Sequence, residues 1–410
     1  MTDSASALPA GLQWLLRLVR TKELALFFSI LVVIGTTAAL DSSHAYVRFP
    51  GRVLKDNCRR LAPLGILALG ATVVIIAGGI DLSLGSVAAL SGTLCASLIL
   101  ALGGERFDTD AGVGAGVLSV AIGASLLLGL IIGTLHTWMI TSLELPPFIV
   151  TLGSLVGLRS FARALCYYMT GRFRDSSSED LPFSDPLLEP LNNDVWISML
   201  LMVVLAAVTW LVLSRTVLGR HLYALGGNEQ AARLSGVRTE NIKWFAYSFS
   251  AICASLAGVI YIAENGAKPS TQAGGYELTA IAAAVVGGCS LQGGIGTIPG
   301  TILGAIFLRA IVDAVARIIK TASDIYEGMI VGIVVVLAVT FAQLRQFQRS
   351  GRQLFPGLLG LAAIPCLALA CSLVMLITIG TGTGAVAGVA TLALLVIWKA
   401  AEMRRTSRVV

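Results

Sequence analysis

Apolar runs of membrane-spanning length recur along this chain, from residue 24 to residue 399, separated by short charged or Gly/Pro-rich pieces. A helix needs about 20 apolar residues to cross the hydrocarbon core of a bilayer. A chain with so many apolar runs has too few polar residues to shield all of them from water. The pattern therefore predicts an all-α, polytopic transmembrane bundle of about 10 core helices.

The composition agrees with a lipid environment. Only 13% of the residues are charged and 56% are hydrophobic, whereas a soluble domain has about a quarter charged residues. The net charge of +6 comes mainly from basic residues at the ends of the apolar runs, where headgroups and topology explain them. The sequence thus predicts contact with the lipid bilayer and no nucleic-acid partner.

Metal and disulfide chemistry find no support in the pattern. The seven cysteines include no CxxC pair, and most of them lie within apolar runs as small hydrophobic residues. The three histidines, His44, His136 and His221, are far apart in sequence. We expect no metal site and no cofactor.

The spans can be placed to within a few residues. The first apolar run is interpreted as a retained helix, because it lacks a small-residue cleavage site. Residues 1–23 are then a cytoplasmic N-terminal segment, residues 24–345 the transmembrane core, and residues 346–410 an additional hairpin with a basic tail. The predicted spans are 24–40, 62–79, 84–102, 113–140, 147–168, 195–213, 243–264, 276–292, 297–315, 325–343, 356–379 and 383–399.

Charge and the number of crossings predict the orientation. With the N-terminus inside, six crossings place the Arg-rich segment 214–242 in the cytoplasm, in agreement with the positive-inside rule, and the acidic loop 175–194 outside. One segment disagrees, because 41–60 should be external. It is either an amphipathic stretch on the outer surface or the sign of a miscounted crossing. Its basic residues are Arg48, Arg52, Lys55, Arg59 and Arg60.

Two similar motifs divide the core. GGIDLSLG at 78–85 and GGCSLQGG at 287–294 share a Gly-Gly pair, a Leu three positions after the second glycine, and a final glycine. Interrupted hydrophobic segments in corresponding places of two halves indicate the central pathway of a transporter. The alternative is coincidence, since the chain has 44 glycines. Whether the two halves are parallel or inverted stays open.

Asp81 is the main candidate site residue, and it has two compatible interpretations. In the first, an unwound turn at Gly-Gly lines a polar pathway together with Asp81. In the second, Asp81 caps the helix that starts near Leu84. The candidate pathway residues from both motifs are Gly78, Gly79, Asp81, Ser83, Ser86, Ser290 and Gln292.

Charged residues in other spans have simpler explanations. Arg159 and Arg163 are four apart and share one helix face, so they either line a pathway or extend toward the outer interface. Glu264 ends one predicted span and Glu277 begins the next, which suits interface positions. We assign neither glutamate a catalytic role.

The loop at 218–244 contains NEQAARLSGV, which predicts a short helix with Asn228 as its cap and Gly236 at its end. Such a helix can insert into a partner's groove, or it can be a connecting turn with a solvated face. Small side chains would permit close approach, and Glu229 and Arg233 are spaced to pair within the helix. The candidate residues are Asn228, Glu229, Ala231, Ala232, Arg233, Ser235 and Gly236.

Enzyme chemistry finds no support either. The chain has no GxxxxGK[ST] motif for ATP binding. Its GTGTGAVAG stretch at 380–388 opens an apolar span and follows no strand, so it does not predict a dinucleotide site. No nucleophile and base can be paired from the sequence. We therefore predict a protein that is not an enzyme.

Four stretches resemble the permease subunits of bacterial ABC importers for monosaccharides, the ribose, xylose and galactofuranose group. GIDLS and GGNEQAARLSG carry the most specific part of this resemblance. The four stretches cover most of residues 50 to 315 in family order. They are LGILALGATVVIIAGGIDLSLGSVAALSG (64–92), LPPFIVTLGSLVGLRS (145–160), LGRHLYALGGNEQAARLSGV (218–237) and GGYELTAIAAAVVGGCSLQGGIGTIPGTILGA (274–305).

The resemblance implies a permease in the inner membrane that translocates a sugar-like solute and hydrolyses no ATP itself. It implies a second permease subunit, identical or different, two cytoplasmic ATPase subunits or one tandem ATPase, and an external solute-binding protein. The 228–237 helix would then couple to the ATPase. The rival hypotheses are an ion-coupled secondary carrier, for which only Asp81 offers an intramembrane carboxylate, and a non-transporting scaffold or sensor.

The chain also departs from the family pattern. Thr279 stands where the family usually has an acidic residue, and Ile295 stands where it usually has Arg. Losing both charges together is consistent with one absent ion pair, which would leave neither charge unpaired. The family bundle usually ends near residue 345, so the C-terminal hairpin is an addition.

Overall fold

The structure is a computed structural model that describes residues 22–107, 112–174, 177–182, 185–269, 272–318, 332–333, 336, 357–378 and 381–406. Within these ranges the regular secondary structure is helical, apart from one isolated bridge between Leu181 and Ala267. The predicted all-α class is confirmed. The predicted span 325–343 lies outside the described residues except for positions 332, 333 and 336, which are helical.

The helices follow the apolar runs. The helices before the 214–242 loop are α1 Lys22–Leu40, α2 Ala45–Arg48, α3 Pro50–Ile76, α4 Leu84–Gly103, α5 Ala115–Thr141, α6 Pro147–Phe173, α7 Glu189–Asn193 and α8 Val195–Arg215. The later ones are α9 Val217–Gly227, α10 Glu229–Leu234, α11 Thr239–Asn265, α12 Tyr276–Val286, α13 Ile298–Ile318, α14 Gly357–Thr378 and α15 Thr381–Thr406.

Eight of the described helices are long and apolar enough to cross a membrane: α1, α3, α4, α5, α6, α8, α11 and α13. The chain is a multi-pass membrane protein. Helix α3 is the most enclosed, because it packs against α8, α11, α12 and α13. Ile66, Leu67 and Ile75 of α3 are fully buried, so the core is built around this helix.

Two predicted spans need correction. The second span begins at Pro50 instead of residue 62, since the basic stretch that follows Pro50 forms the first turns of the 27-residue helix α3. Proline fits the first turn of a helix, where its missing N–H is not needed. The predicted span 276–292 is only the 11-residue α12, which is too short to cross a bilayer by itself.

The chain divides into two compact units, residues 1–339 and residues 340–410. In the second unit, α14 and α15 pack against each other, and Gly388 of α15 lies close to the side chain of Ser372. This unit contains the residues of the predicted C-terminal hairpin.

Candidate translocation and coupling site

The first motif breaks the helical path inside the bundle. Helix α3 ends at Ile76, and Gly78 follows with a φ of 85°, a conformation that favours glycine. Gly78 N donates to Ile75 O and Gly79 N to Val74 O, both at 2.9 Å, which is the Schellman pattern of a helix end. The chain then continues without helix until α4 begins at Leu84.

Asp81 lies in this non-helical segment and is 2% exposed. Its Oδ1 accepts hydrogen bonds from Ser83 N at 2.9 Å and Ser83 Oγ at 2.6 Å, and its Oδ2 accepts one from Ser250 Oγ at 2.7 Å. Asp81 therefore ties the broken segment to α11. The capping interpretation expected Asp81 to accept hydrogen bonds from the amides in the first turn of α4. The N-cap of α4 is instead Ser83, and Asp81 accepts its hydrogen bonds from this cap residue.

A buried polar chain continues from this segment into the neighbouring helices. Ser86 Oγ donates to Ser83 O at 2.7 Å and to Ser154 O at 3.1 Å. The hydroxyl of Ser154 in turn shares a 2.7 Å hydrogen bond with His136 Nε2. The sequence pattern gave no role to His136. A histidine inside an apolar span does, however, indicate that a polar partner lies nearby in the fold.

The second motif repeats the same helix end. Helix α12 ends at Val286, and Gly288 has a φ of 101°. Gly288 N donates to Val285 O, and Cys289 N donates to Ala284 O, both at 2.9 Å. This is again the Schellman pattern, with Gly288 in the place of Gly78. Both motifs therefore end a helix in the same way, with their glycines of positive φ one residue out of the register that the Gly-Gly pairs suggested.

The two breaks lie next to each other. Gly294 N donates to Ile76 O at 2.9 Å, so the loop after α12 satisfies a carbonyl at the end of α3. Of the predicted pathway residues in this loop, Ser290 is half-buried and Gln292 is exposed. Ser83 and Ser86 are fully buried. The candidate residues of the two motifs thus differ strongly in exposure.

The predicted short helix is α10, Glu229–Leu234, and both of its predicted ends are confirmed. Asn228 Oδ1 accepts from Ala231 N at 2.9 Å. Gly236 has a φ of 83°, with Gly236 N donating to Arg233 O and Val237 N to Ala232 O. The segment is therefore a capped helix.

Two expectations about α10 are wrong. Ala232 is 5% exposed, so its side chain faces the protein and is not available to a partner. Glu229 does not pair with Arg233: it accepts from Lys243 Nζ at 2.6 Å, and Arg233 lies 3.6 Å from Glu240. Because α11 begins only a few residues later, its first turns offer partners that tie α10 to the bundle.

The two arginines of α6 have different surroundings. Arg163 forms a bidentate pair with Glu179 of the following loop, with N–O distances of 2.7 and 2.8 Å, as an arginine near an interface can do. Arg159 instead points into the protein, where its Nη1 donates to Gln272 O at 2.9 Å and Pro269 O at 3.2 Å. The two arginines therefore have different partners, and their position relative to the outer interface stays a prediction.

Glu277 is 7% exposed, so its side chain is buried within the protein. Its Oε1 accepts from Gly275 N at 3.3 Å, and Oε2 lies against Gly85, with Arg159 nearby. Thr279 follows in the first turns of α12, whereas Ile295 lies beyond its last residue.

Among the described residues, no group of three or more His, Cys, Asp or Glu side chains could hold a metal ion. The site is therefore a set of broken helices, buried hydroxyls and one carboxylate. Such a set can satisfy unwound backbone inside a membrane and rearrange its hydrogen bonds.

The comparison with known proteins identifies the family. The sequence profile of the branched-chain amino acid transport system permease component matches residues 56–339. The chain belongs to this permease family. The matched range contains both helix breaks and α10, so the elements described above are part of the permease core.

Several curated relatives cover most of the permease. It is 36% identical to the ribose import permease protein of Escherichia coli (strain K12) over 313 residues, 76% of this chain and 90% of that relative. It is 35% identical to the autoinducer 2 import system permease protein of Photorhabdus luminescens over 300 residues, 72% of this chain and 83% of the relative. No solved structure matches.

Proposed function

We propose that this permease is the membrane subunit of an ATP-binding-cassette importer that carries a sugar-like solute across the cytoplasmic membrane. The observation that carries the proposal is the 36% identity over 90% of a ribose import permease. The matched family's description names branched-chain amino acids, but the relatives with high identity carry ribose or autoinducer 2. A small, polar, sugar-like solute agrees with both relatives.

The energy source in this proposal is a partner. The sequence contains no P-loop, so ATP binding is assigned to two cytoplasmic ATPase subunits or one tandem ATPase. Helix α10 supports a docking role, because Leu234 at its end is 90% exposed while Asn228 and Lys243 hold the helix in place. A rigid helix with one free face can enter a groove of a partner.

The remaining parts follow from the same scheme. A second permease subunit completes the channel, and an external binding protein delivers the solute. We assign the pathway to the two helix breaks, with Asp81, Ser83 and Ser86 on the first and Ser290 and Gln292 on the second. Since the first three are buried in this structure, opening of the pathway requires movement of the broken segment.

Reconstitution tests the proposal. The permease is placed in liposomes with its ATPase and binding protein, and uptake of labelled ribose, autoinducer 2 and leucine is measured with and without ATP. ATP-dependent uptake of one of the first two solutes is expected. Uptake of leucine alone would overturn the sugar assignment. Uptake driven by an ion gradient without ATP would support a secondary carrier, and no uptake of any solute with a functional ATPase would support a scaffold.

A further inference from the structure

Three glycine-containing turns from distant parts of the chain meet at one point. The first is Gly78 at the end of α3, the second is Gly226 in the last turn of α9, and the third is the pair Gly293 and Gly294 after α12. We call this contact the glycine node. It joins both helix breaks to the segment that leads into α10.

Gly226 is the centre of the node. A Cβ atom built on Gly226 would fall on Ile76 O and would lie 2.5 Å from Gly294 N. These two atoms form the 2.9 Å hydrogen bond that links the two breaks. Any side chain at position 226 would therefore displace both breaks at once.

The other glycines approach α9 equally closely. A Cβ on Gly293 would lie 2.6 Å from Gly226 O and 2.8 Å from Gly78 Cα, and one on Gly294 would lie 2.8 Å from Gly227 Cα. Beside them, Tyr223 Oη of α9 donates to Gly296 O at 2.9 Å. Backbone meets backbone in this contact, without intervening flexible side chains. Such a contact transmits a displacement because packed atoms cannot be compressed.

The node is directly connected to α10. Gly226 and Gly227 immediately precede Asn228, the N-cap residue of that helix. Helix α10 is held to the start of α11 by the Glu229–Lys243 pair at 2.6 Å. Helix α11 is in turn bonded to the first break through Ser250 and Asp81. A movement of α10 therefore reaches the first break by two routes and the second break through Gly226.

We infer that Gly226 is the positioning residue through which movement of α10 reorients both helix breaks. The inference rests on the proposed function, because it takes α10 as the element that an ATPase moves. In this scheme the backbone contact at Gly226 converts ATP hydrolysis by the partner into opening of the pathway. Neither Gly226 nor Tyr223 was a candidate residue on sequence grounds.

The test compares Gly226→Ala with Gly227→Ala in the reconstituted complex of permease, ATPase and binding protein. No described atom lies within 4 Å of a Cβ on Gly227, so this neighbouring variant is a matched control. We expect Gly226→Ala to retain the ATPase on purification and to lower the solute carried per ATP hydrolysed by about tenfold, within the range usual for coupling between sites. Gly227→Ala should match the wild type.

A milder variant covers the case in which Gly226→Ala does not insert. Tyr223→Phe keeps the ring and removes only the hydrogen bond to Gly296 O. We expect Tyr223→Phe to lower the ratio of transport to ATP hydrolysis, but by a factor several-fold smaller than in Gly226→Ala. Binding of the ATPase should be unchanged. The inference would be overturned if both variants had the wild-type ratio of transport to hydrolysis. It would also be overturned if Gly226→Ala did not insert and Tyr223→Phe had the wild-type ratio.

Failure of the proposed function gives a different result. In that case the wild-type complex itself shows no ATP-dependent uptake of the sugar-like solutes. If wild-type uptake is present and both glycine variants transport with the same ratio as the wild type, the proposed function stands and the role of Gly226 is wrong. Equal losses of ATPase binding and uptake in Gly226→Ala would also contradict the inference, since they indicate a structural role alone.

Discussion

Asp81 has three hydrogen bonds in a region with almost no solvent contact, and this determines what a substitution there does. Removing the carboxylate leaves the Ser83 amide and two buried hydroxyls to find other acceptors. A buried donor left without a partner costs about 1–3 kcal/mol. The segment between α3 and α4 therefore depends on Asp81 for its conformation and for its link to α11.

We predict that Asp81→Ala lowers uptake per molecule of permease more than it lowers the amount of permease in the membrane. Asp81→Asn keeps the size and one acceptor oxygen, so its effect should be smaller. Uptake is divided by membrane abundance from quantitative immunoblots. If Asp81→Ala lowers both quantities equally, Asp81 has only a structural role.

Glu179 gives the loop after α6 a pH dependence. The guanidinium of Arg163 donates hydrogen bonds to both carboxylate oxygens and so holds the pKa of Glu179 below its ordinary value. Since the pKa is lowered in the folded state, the stabilisation is present above the ordinary glutamate pKa of about 4.3 and is lost as the pH falls through the lowered value.

We therefore expect a spin label at Ser177→Cys to become more mobile as the pH falls below the ordinary glutamate pKa of about 4.3 and through the lowered pKa of Glu179. Adding Glu179→Gln should make the label equally mobile at all pH values, because the amide has no charge to titrate. The measurement is electron paramagnetic resonance between pH 3 and 7. A label whose mobility changes with pH in the Gln variant as well would show that another group is responsible.

Local residue patterns were predictable where the relevant partners are close in sequence. Asn228 and Gly236 define the ends of α10 through contacts with residues at most five positions away. The partners of Arg159 were not predictable, because its acceptors, Pro269 and Gln272, are more than 100 positions away. The sequence pattern records the charge of Arg159 but not which segment folds against it.

At the scale of elements, hydropathy located the helices but not all of their ends. The apolar run at 276–292 includes the residues after Val286, although Gly288 ends α12 there with a positive φ. Conversely, the first turns of α3 are polar and basic, so an apolar window omitted them. Helix ends depend on backbone hydrogen bonding, which average hydropathy does not describe.

Helix α10 gives a prediction at this scale. Ala231 is exposed, whereas its neighbour Ala232 is buried against the bundle. Ala231→Trp should block docking of the ATPase by steric overlap without disturbing the permease, so the variant inserts normally and no longer co-purifies with its partner. Co-purification from detergent and thermal unfolding of the isolated permease are measured together.

Ala232→Trp is the matched control for this prediction. Because Ala232 packs inward, the larger side chain should lower the unfolding temperature, and overpacking of this kind typically costs about 1–3 kcal/mol. Should Ala231→Trp retain both ATPase binding and uptake, the exposed face of α10 is not the docking surface.

At the scale of the whole molecule, the number and order of the apolar runs predicted the helical class, since backbone in lipid must satisfy its own hydrogen bonds. The runs did not predict which helix lies at the centre. Helix α3 occupies that place because it packs against α8, α11, α12 and α13, and its Gly65 and Gly70 permit close approach by Met202 and Ser250. Such pairings join residues far apart in sequence.

The two ends of the bundle can be assigned from α11. Helix α10 is bonded to the beginning of this helix through Lys243, and the 177–182 segment is paired with its far end through Leu181 and Ala267. Helix α11 has 27 residues and is therefore ~40 Å long, more than the ~30 Å of hydrocarbon in a bilayer. We therefore expect the two segments on opposite sides of the membrane.

The positive-inside rule then predicts which side is which, because the 214–242 segment carries four arginines and is expected in the cytoplasm. We predict that a membrane-impermeant maleimide labels Asp180→Cys in right-side-out vesicles and labels Gln230→Cys only after permeabilisation. The wild type is the control for native cysteines, of which Cys58, Cys95, Cys166, Cys253 and Cys289 are buried. Labelling of Gln230→Cys in sealed vesicles would invert the assignment, and α10 would then face the side without ATP.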